Sequence, residues 1–279
     1  YTKYINWVPS ENGALISAYG SINNSNSIKS DIVEINNQIN DIKPIFNLSI
    51  SNDMVDINVI RCPLDIDCKN YISWYLKNLY SSDYQSFDYY QYELNDAGKS
   101  FLNISIKKNA KSDIFPNDIT NGEMRSICVD IFSAECGARH WFKANGNYVI
   151  WKIEKRNSGR VMIVKNDHLS ALFSVKMKNK KYIIDSTIMD SDLVANFVNY
   201  INSSLIEKDD SIKNEYGKVF YYNGGCGQSV FSRFVKITNS DFQPLHPFDV
   251  VSSSVKAPTD LFTCTSFAET GIGFSGLDV

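Results

Sequence analysis

The run NYVIWKIEKRNSGRVMIVKNDHLSALFSVKMKNKKYIID, residues 147–185, decides how this chain reads. It consists of short segments rich in β-branched and aromatic residues, separated by polar turns. NYVIWKIEK and GRVMIVK read as strands joined at Asn157-Ser158-Gly159. HLSALFSVKM alternates, with Leu169, Ala171, Phe173 and Val175 on one face and His168, Ser170, Leu172 and Ser174 on the other. KMKNKK is a turn, and KYIID is a strand ending at Asp185. Downstream, SDLVANFVNYINSSL is a helix with Ser191 as N-cap and Leu193, Val194, Phe197, Val198 and Ile201 on one stripe. GKVFYY is a strand. NGGCGQSVFSRFVKI opens a helix with Val230, Phe231, Phe234 and Val235 inward. The pattern predicts an α+β protein with a central mixed or antiparallel sheet. Its strands fall near 148–155, 161–164, 169–176, 181–185 and 218–222, with helices 191–204 and 226–236 beside it.

The first half is less regular. WVPSENGALISAYGS reads as strand, turn, strand, and SDIVEINNQIN as a short helix capped by Ser30. PIFNLSISNDMVDINVIRC alternates in two pieces, as strands do. KNYISWYLKNLY sets Tyr71, Trp74, Tyr75 and Leu79 at helical spacing, an aromatic stripe expected in the core. KSFLNISIKK is a strand. NGEMRSICVDIFSAECG reads as a helix carrying Ile127, Ile131, Phe132 and Ala134, closed by Gly137. FPNDI near 115 is a plausible boundary between an N-terminal accessory, substrate-recognition region (1–115) and a catalytic domain (116–279).

Composition is ordinary for a globular chain: 43% hydrophobic and 21% charged over 279 residues, which excludes disorder and coiled coil. Lys+Arg 28 against Asp+Glu 31 gives −3, without the basic excess of a nucleic-acid binder. No stretch approaches the ~20 apolar residues of a membrane span. Tyr1-Thr2-Lys3-Tyr4 has no signal-peptide pattern and lacks Met, as in a processed form. Six cysteines, Cys62, Cys68, Cys128, Cys136, Cys226 and Cys264, are too few for a disulfide scaffold. The pair Cys62 and Cys68 is spaced for one local bridge. With three His and no CxxC pair, neither a metal nor a cofactor is expected. The oligomeric state is not readable.

Chemistry is expected where His168 opens a strand and Asp185 closes the next, an arrangement in which a carboxylate orients an imidazole. Cys226 follows Gly224 and Gly225 at a helix start, where unpaired amides and the helix dipole lower a thiol pKa. The backbone N–H groups of this turn, at Gly225, are the candidate oxyanion donors.

HLSALFSV, KYIIDS and GGCGQSVFSRF, within residues 160–236, resemble the His, Asp and Cys-Gly segments of the adenain/ubiquitin-like-protease clan. That clan includes SUMO-specific proteases, effector deubiquitinases and YopJ-type acetyltransferases. The resemblance implies a papain-like core and a thioester on Cys226, with His168 as base, Asp185 as orienter, and Asn223, or the backbone alone, in place of the clan's Gln oxyanion donor. It further implies a protein substrate, either a ubiquitin-like modifier or a host signalling protein. The implied location is a host cytosol reached by a secreted effector, or the cytoplasm. The same triad in an acetyltransferase is an alternative. Cys128-His168-Asp185, in the order of transglutaminases and effector deamidases, is a second alternative. A secreted, disulfide-containing binding protein without activity is a third.

Overall fold

The computed structural model describes residues 2–11, 13–22, 27–39, 44–63, 65–79, 84–86, 99–107, 122–209, 211 and 214–275. Its centre is a six-stranded mixed sheet in the order β11-β10-β9-β8-β12-β13. Strands β8 (Tyr148–Ile153), β9 (Ser158–Lys165), β10 (His168–Lys178) and β11 (Lys181–Thr187) run as an antiparallel meander. Each of its three turns holds two consecutive left-handed residues: Arg156 and Asn157, Asn166 and Asp167, Asn179 and Lys180. Such turns match the right-handed twist of the strands they join. Helix α4 (Ser191–Ile201) then carries the chain across the sheet to β12 (Lys218–Asn223), which is parallel to β8. Helix α5 (Gln228–Ile237) leads to β13 (Phe242–Pro244), parallel to β12. The strands and helices expected for residues 148–236 are found with shifted bounds: Asp190, not Ser191, caps α4, and α5 begins at Gln228, so Cys226 precedes it.

The two faces of this sheet bury different partners. Val149, Trp151, Ile153, Val161, Phe173, Val219 and Tyr221 pack against α4 and α5 through Phe197, Ile201 and Phe234. Tyr148, Ile150, Met162, Leu172, Phe220 and Tyr222 pack on the opposite side against α3 (Asp130–Phe142). Burying each of these large side chains contributes about 1.5–3 kcal/mol. One register shift, between Leu169 and Ala171, corrects the expected alternation. Leu169 joins the α3 side with Leu172, whereas Ala171 and Phe173 face α4.

The N-terminal part supplies hairpin β1 (Thr2–Ser10) and β2 (Gly13–Ile22), helix α1 (Ile28–Ile39), and β3 (Ile45–Ile50) paired in parallel with β7 (Glu123–Val129). Between β3 and β7 the chain builds a separate antiparallel sheet of β4 (Val55–Cys62), β6 (Lys99–Lys107) and β5 (Tyr84–Ser86), with α2 (Cys68–Leu79) packed on β4. The C-terminal segment returns to this part. Strand β14 (Ser252–Ser253) pairs with β2, while α6 (Leu261–Thr265) and α7 (Gly271–Ser275) follow it, and α7 lies on α3.

Three expectations need correction here. Residues 123–129 are strand, so Cys128 lies in β7 rather than in a helix. The expected helix starts only at Asp130 and continues past Gly137 to Phe142. Gly137 is not a cap: a Cβ on Gly271 would run into the Gly137 backbone, so Gly271 lets α7 touch α3, while a Cβ on Gly137 would meet Trp141 of its own helix at 2.6 Å. The aromatic stripe of α2 is not core, since Trp74 is 60% exposed and Leu79 46%; Ile72 and Leu76 are the buried pair. The boundary near residue 115 lies outside the described residues.

Candidate functional site

Directly paired residues on neighbouring strands point to the same face of a sheet. Reading the registers across the α3 side, Ser186 of β11 pairs with Ser174 of β10 and Ser174 with Arg160 of β9. Arg160 in turn pairs with Lys152 of β8, and Lys152 with Tyr222 of β12. This is a polar row across five strands, on a face whose next row is Ile150, Met162 and Phe220. The row lies over the N-terminal end of α3, where Asp130 is 1% exposed.

Lys152 is the centre of the row and is 5% exposed. Its ammonium is hydrogen-bonded to Asp130, lies 3.6 Å from Glu269 Oε1 and 3.9 Å from Glu154 Oε1. Burial alone would lower this ammonium. Glu269, Asp130 and Glu154 outweigh burial and hold it above its ordinary value. Asp130 also accepts from the backbone N–H of Asn52 at 3.1 Å and of Ile131 at 2.6 Å. Burial raises Glu154, against the pull of Arg160 and Lys152. Burial likewise pushes the Glu269 carboxyl up to about 7, against Lys152. Tyr222 is fully buried beside these carboxylates, and its hydroxyl has no hydrogen-bond partner.

The glycine turn after β12 borders the same row. Gly224 donates to Ile153 O at 2.9 Å, and a Cβ there would meet the Lys152 stem at 2.3 Å. Gly225 has φ +96°, which only glycine adopts without strain. Asn223 Oδ1 accepts from the backbone N–H of Gly225 and of Cys226, both at 3.0 Å, and from the Cys226 thiol at 3.3 Å. The Asn223 amide donates to Phe262 O at 3.3 Å. The residues expected to face a substrate are occupied by their own chain.

The proposed triad does not assemble. His168 pairs with Lys165, one residue beyond the row of Leu169, Val164, Tyr148 and Lys218, so it stands at the opposite end of the sheet from Cys226 and three strands away. That separation is on the order of 20 Å from strand spacing and rise. Asp185 lies in β11, four strands from β12, roughly 19 Å. It is paired with Lys176, both side chains 49% exposed. β11 ends at Thr187 opposite Phe173, so Asp185 and His168 are not neighbours. Burial pushes the Cys226 and Cys128 thiols up to about 11, which leaves both protonated and unreactive. None of the six cysteines forms a disulfide, and the Cys62 thiol instead donates to Cys68 O at 3.9 Å.

Lys152, Asp130, Arg160 and Glu269 are residues that sequence reading passed over. The available signal was Lys152 itself: a charge inside YVIWKI, a strand otherwise wholly apolar, must find a partner when that strand is buried.

No protein-family model and no curated protein matches the sequence. Solved structures do match the fold. A chain of a PilM-PilN type IV pilus biogenesis complex aligns with TM-score 0.61 at 12% identity, over 99% of this chain and 96% of that one. The cytoplasmic domain of EpsL, an inner-membrane component of the Vibrio cholerae type II secretion system, aligns at 0.43 and 8%, over 98% and 89%. A Bacteroides thetaiotaomicron protein with an actin-like ATPase fold aligns at 0.40 and 8%, over 93% and 86%. The fold is thus that of the chain of the PilM-PilN complex, not the papain-like core of the ubiquitin-like-protease clan. The cysteine-hydrolase reading, its acetyltransferase, transglutaminase/deamidase and disulfide-protein alternatives, and a ubiquitin-like substrate fall with that correction. Among the described residues, no helix is long and apolar enough to cross a membrane.

The residues at the row do not fit the phosphates of a nucleotide or a divalent cation. Asp130, Glu154 and Glu269 converge on the Lys152 ammonium, which stands where a cation among three carboxylates would sit. Among the described residues, no group of three His, Cys, Asp or Glu could hold a metal ion. The turn amides that would face a phosphate are spent on Asn223 Oδ1.

Proposed function

We propose that this protein is a binding component of a protein assembly, using its fold as a scaffold and turning over neither nucleotide nor peptide bond. The observation that carries the reading is the Lys152 cluster. The one ammonium at the centre of the polar row is neutralised by Asp130, Glu154 and Glu269 of the same chain. A buried charge fully paired inside its own fold holds parts together; it offers no free group for catalysis. Glu269 belongs to the C-terminal segment, Asp130 to α3 and Lys152 to the central sheet, so the cluster ties three parts of the chain. Support for a polypeptide partner comes from the likeness, over nearly the full length of both chains, to a chain of the PilM-PilN complex.

Cross-linking in the source cells, followed by mass spectrometry, tests this. The reading expects reproducible cross-links from one face of the protein to one polypeptide. An absence of inter-protein cross-links, with the protein migrating alone, overturns it.

A further inference from the structure

Beside the Lys152 cluster the polar row opens into a cavity of about 270 Å³ between β4, β9, β10 and β11. Arg160, Ser174 and Ser186 form its floor, Asn52 and Asp56 stand on the other wall, and Val55, Ile57, Leu172 and Ile188 supply apolar surface. Asn52 is 4% exposed, yet neither its amide nitrogen nor its oxygen has a hydrogen-bond partner. Leaving such a group buried and unpaired costs free energy that a ligand recovers. The Arg160 Nε–H is also buried without a partner, and the nearest carboxylate to its guanidinium, Asp53 Oδ1, stands 3.8 Å away on a side chain 84% exposed.

These groups define a ligand. Arg160 asks for a carboxylate, which a guanidinium binds with charge-assisted, directional bonds. The free Asn52 amide, one donor side and one acceptor side, matches a peptide group. Asp56 and Asp53 disfavour a bare anion but accept from N–H groups. The volume lies below the ~300–1,000 Å³ of ordinary small-molecule pockets, which fits one or two residues rather than a cofactor. We propose that this cavity takes a short peptide segment bearing an acidic residue, with the carboxylate on Arg160 and the neighbouring peptide group on Asn52. The proposal rests on the scaffold reading and names where the partner polypeptide is gripped.

The test uses N-acetyl-glutamate N′-methylamide as a peptide probe and follows the Asn52 side-chain amide and Arg160 Nε–H by NMR. The glutamine analogue tests the carboxylate, and free glutamate separates a peptide site from an amino-acid site. The expected result is saturable shifts at both groups with the glutamate peptide. Binding should be weakened about tenfold or more by the glutamine analogue and by Arg160→Gln, because one charge-assisted pair is lost in each case. Ser174→Val, which keeps Arg160 and Asn52, reports whether a change in the cavity floor alone disturbs the fold. Equal binding of the glutamine analogue, tighter binding of free glutamate, or shifts unchanged by Arg160→Gln overturns the proposal. If the cellular cross-links persist unchanged in Arg160→Gln, the scaffold reading stands and only this site falls.

Discussion

At the residue scale, the thiols and the buried lysine make opposite points about what a local pattern can show. Cys226 has the sequence surroundings of an activated thiol: glycines before it and a helix after it. The surroundings failed as a guide because the amides they provide are already bonded to Asn223, and burial then dominates. With a pKa of about 11, only roughly one molecule in ten thousand carries the Cys226 thiolate at pH 7. Iodoacetamide at neutral pH should therefore modify the partly exposed Cys68 first and leave Cys226 and Cys128 intact; mass spectrometry of the peptides reads the order. Early labelling of Cys226 would contradict the burial argument. Lys152 is the reverse case, a residue with no motif around it that the fold makes central. Lys152→Ala leaves Asp130 and Glu269 without their cation and should cost about 3–5 kcal/mol in urea unfolding. A loss below ~1 kcal/mol would show the cluster to be solvated rather than sealed. Glu269 adds a pH signature. Its folded carboxyl titrates near 7, above the unfolded value of 4.5, so the folded state binds the extra proton. Stability contributed by this group is therefore present below about pH 4.5 and falls as pH rises toward 7. The difference between wild type and Glu269→Gln, measured by urea titration across that window, should slope in that direction; a flat difference would contradict the assignment.

At the scale of elements, periodicity and turn residues served well where strands follow one another closely. The meander from Tyr148 to Thr187 was legible because each strand is short, apolar and closed by a turn, and because its pairings are local. Segments whose conformation depends on distant partners were not. SICV is strand because β3, some 80 residues earlier in the chain, pairs with it: Ile50 lies opposite Val129. Gly137 looked like a helix end because a glycine after an apolar run is a common cap, whereas here the helix continues and Trp141, one turn on, lies over it. Trp74 looked like core because periodicity finds a stripe without saying which stripe faces inward. The α3–α7 crossing gives a paired prediction. Gly271→Ala drives a methyl group into backbone and should destabilise by about 1–3 kcal/mol. Gly227→Ala, which meets nothing within 4 Å, should stay within about 0.5 kcal/mol of wild type. Chemical unfolding of the two variants side by side checks both. Equal effects would mean that the crossing is loose.

At the scale of the molecule, the sequence carried the class and the strands of the central sheet but not the architecture around it. The order helix, strand, Cys-Gly turn, helix after a meander is shared by unrelated folds. What separates them is β12 and β13 lying parallel to β8 and the return of residues 252–275 to the N-terminal part, neither of which a local pattern reports. The site was hidden for the same reason, since its row draws one residue from each of five strands and acquires its carboxylates from α3 and the C-terminal segment. The central claim is that this chain has closed the middle of its central sheet with its own charges. Urea unfolding with and without magnesium-ATP tests it most directly, because any ligand of the folded state adds stability that grows with the logarithm of its concentration over its dissociation constant. At a nucleotide concentration a hundred times a dissociation constant the gain would be about 2.7 kcal/mol. The account predicts no resolvable change at about 1 mM magnesium-ATP, and a stabilisation of about 2.7 kcal/mol there would contradict it.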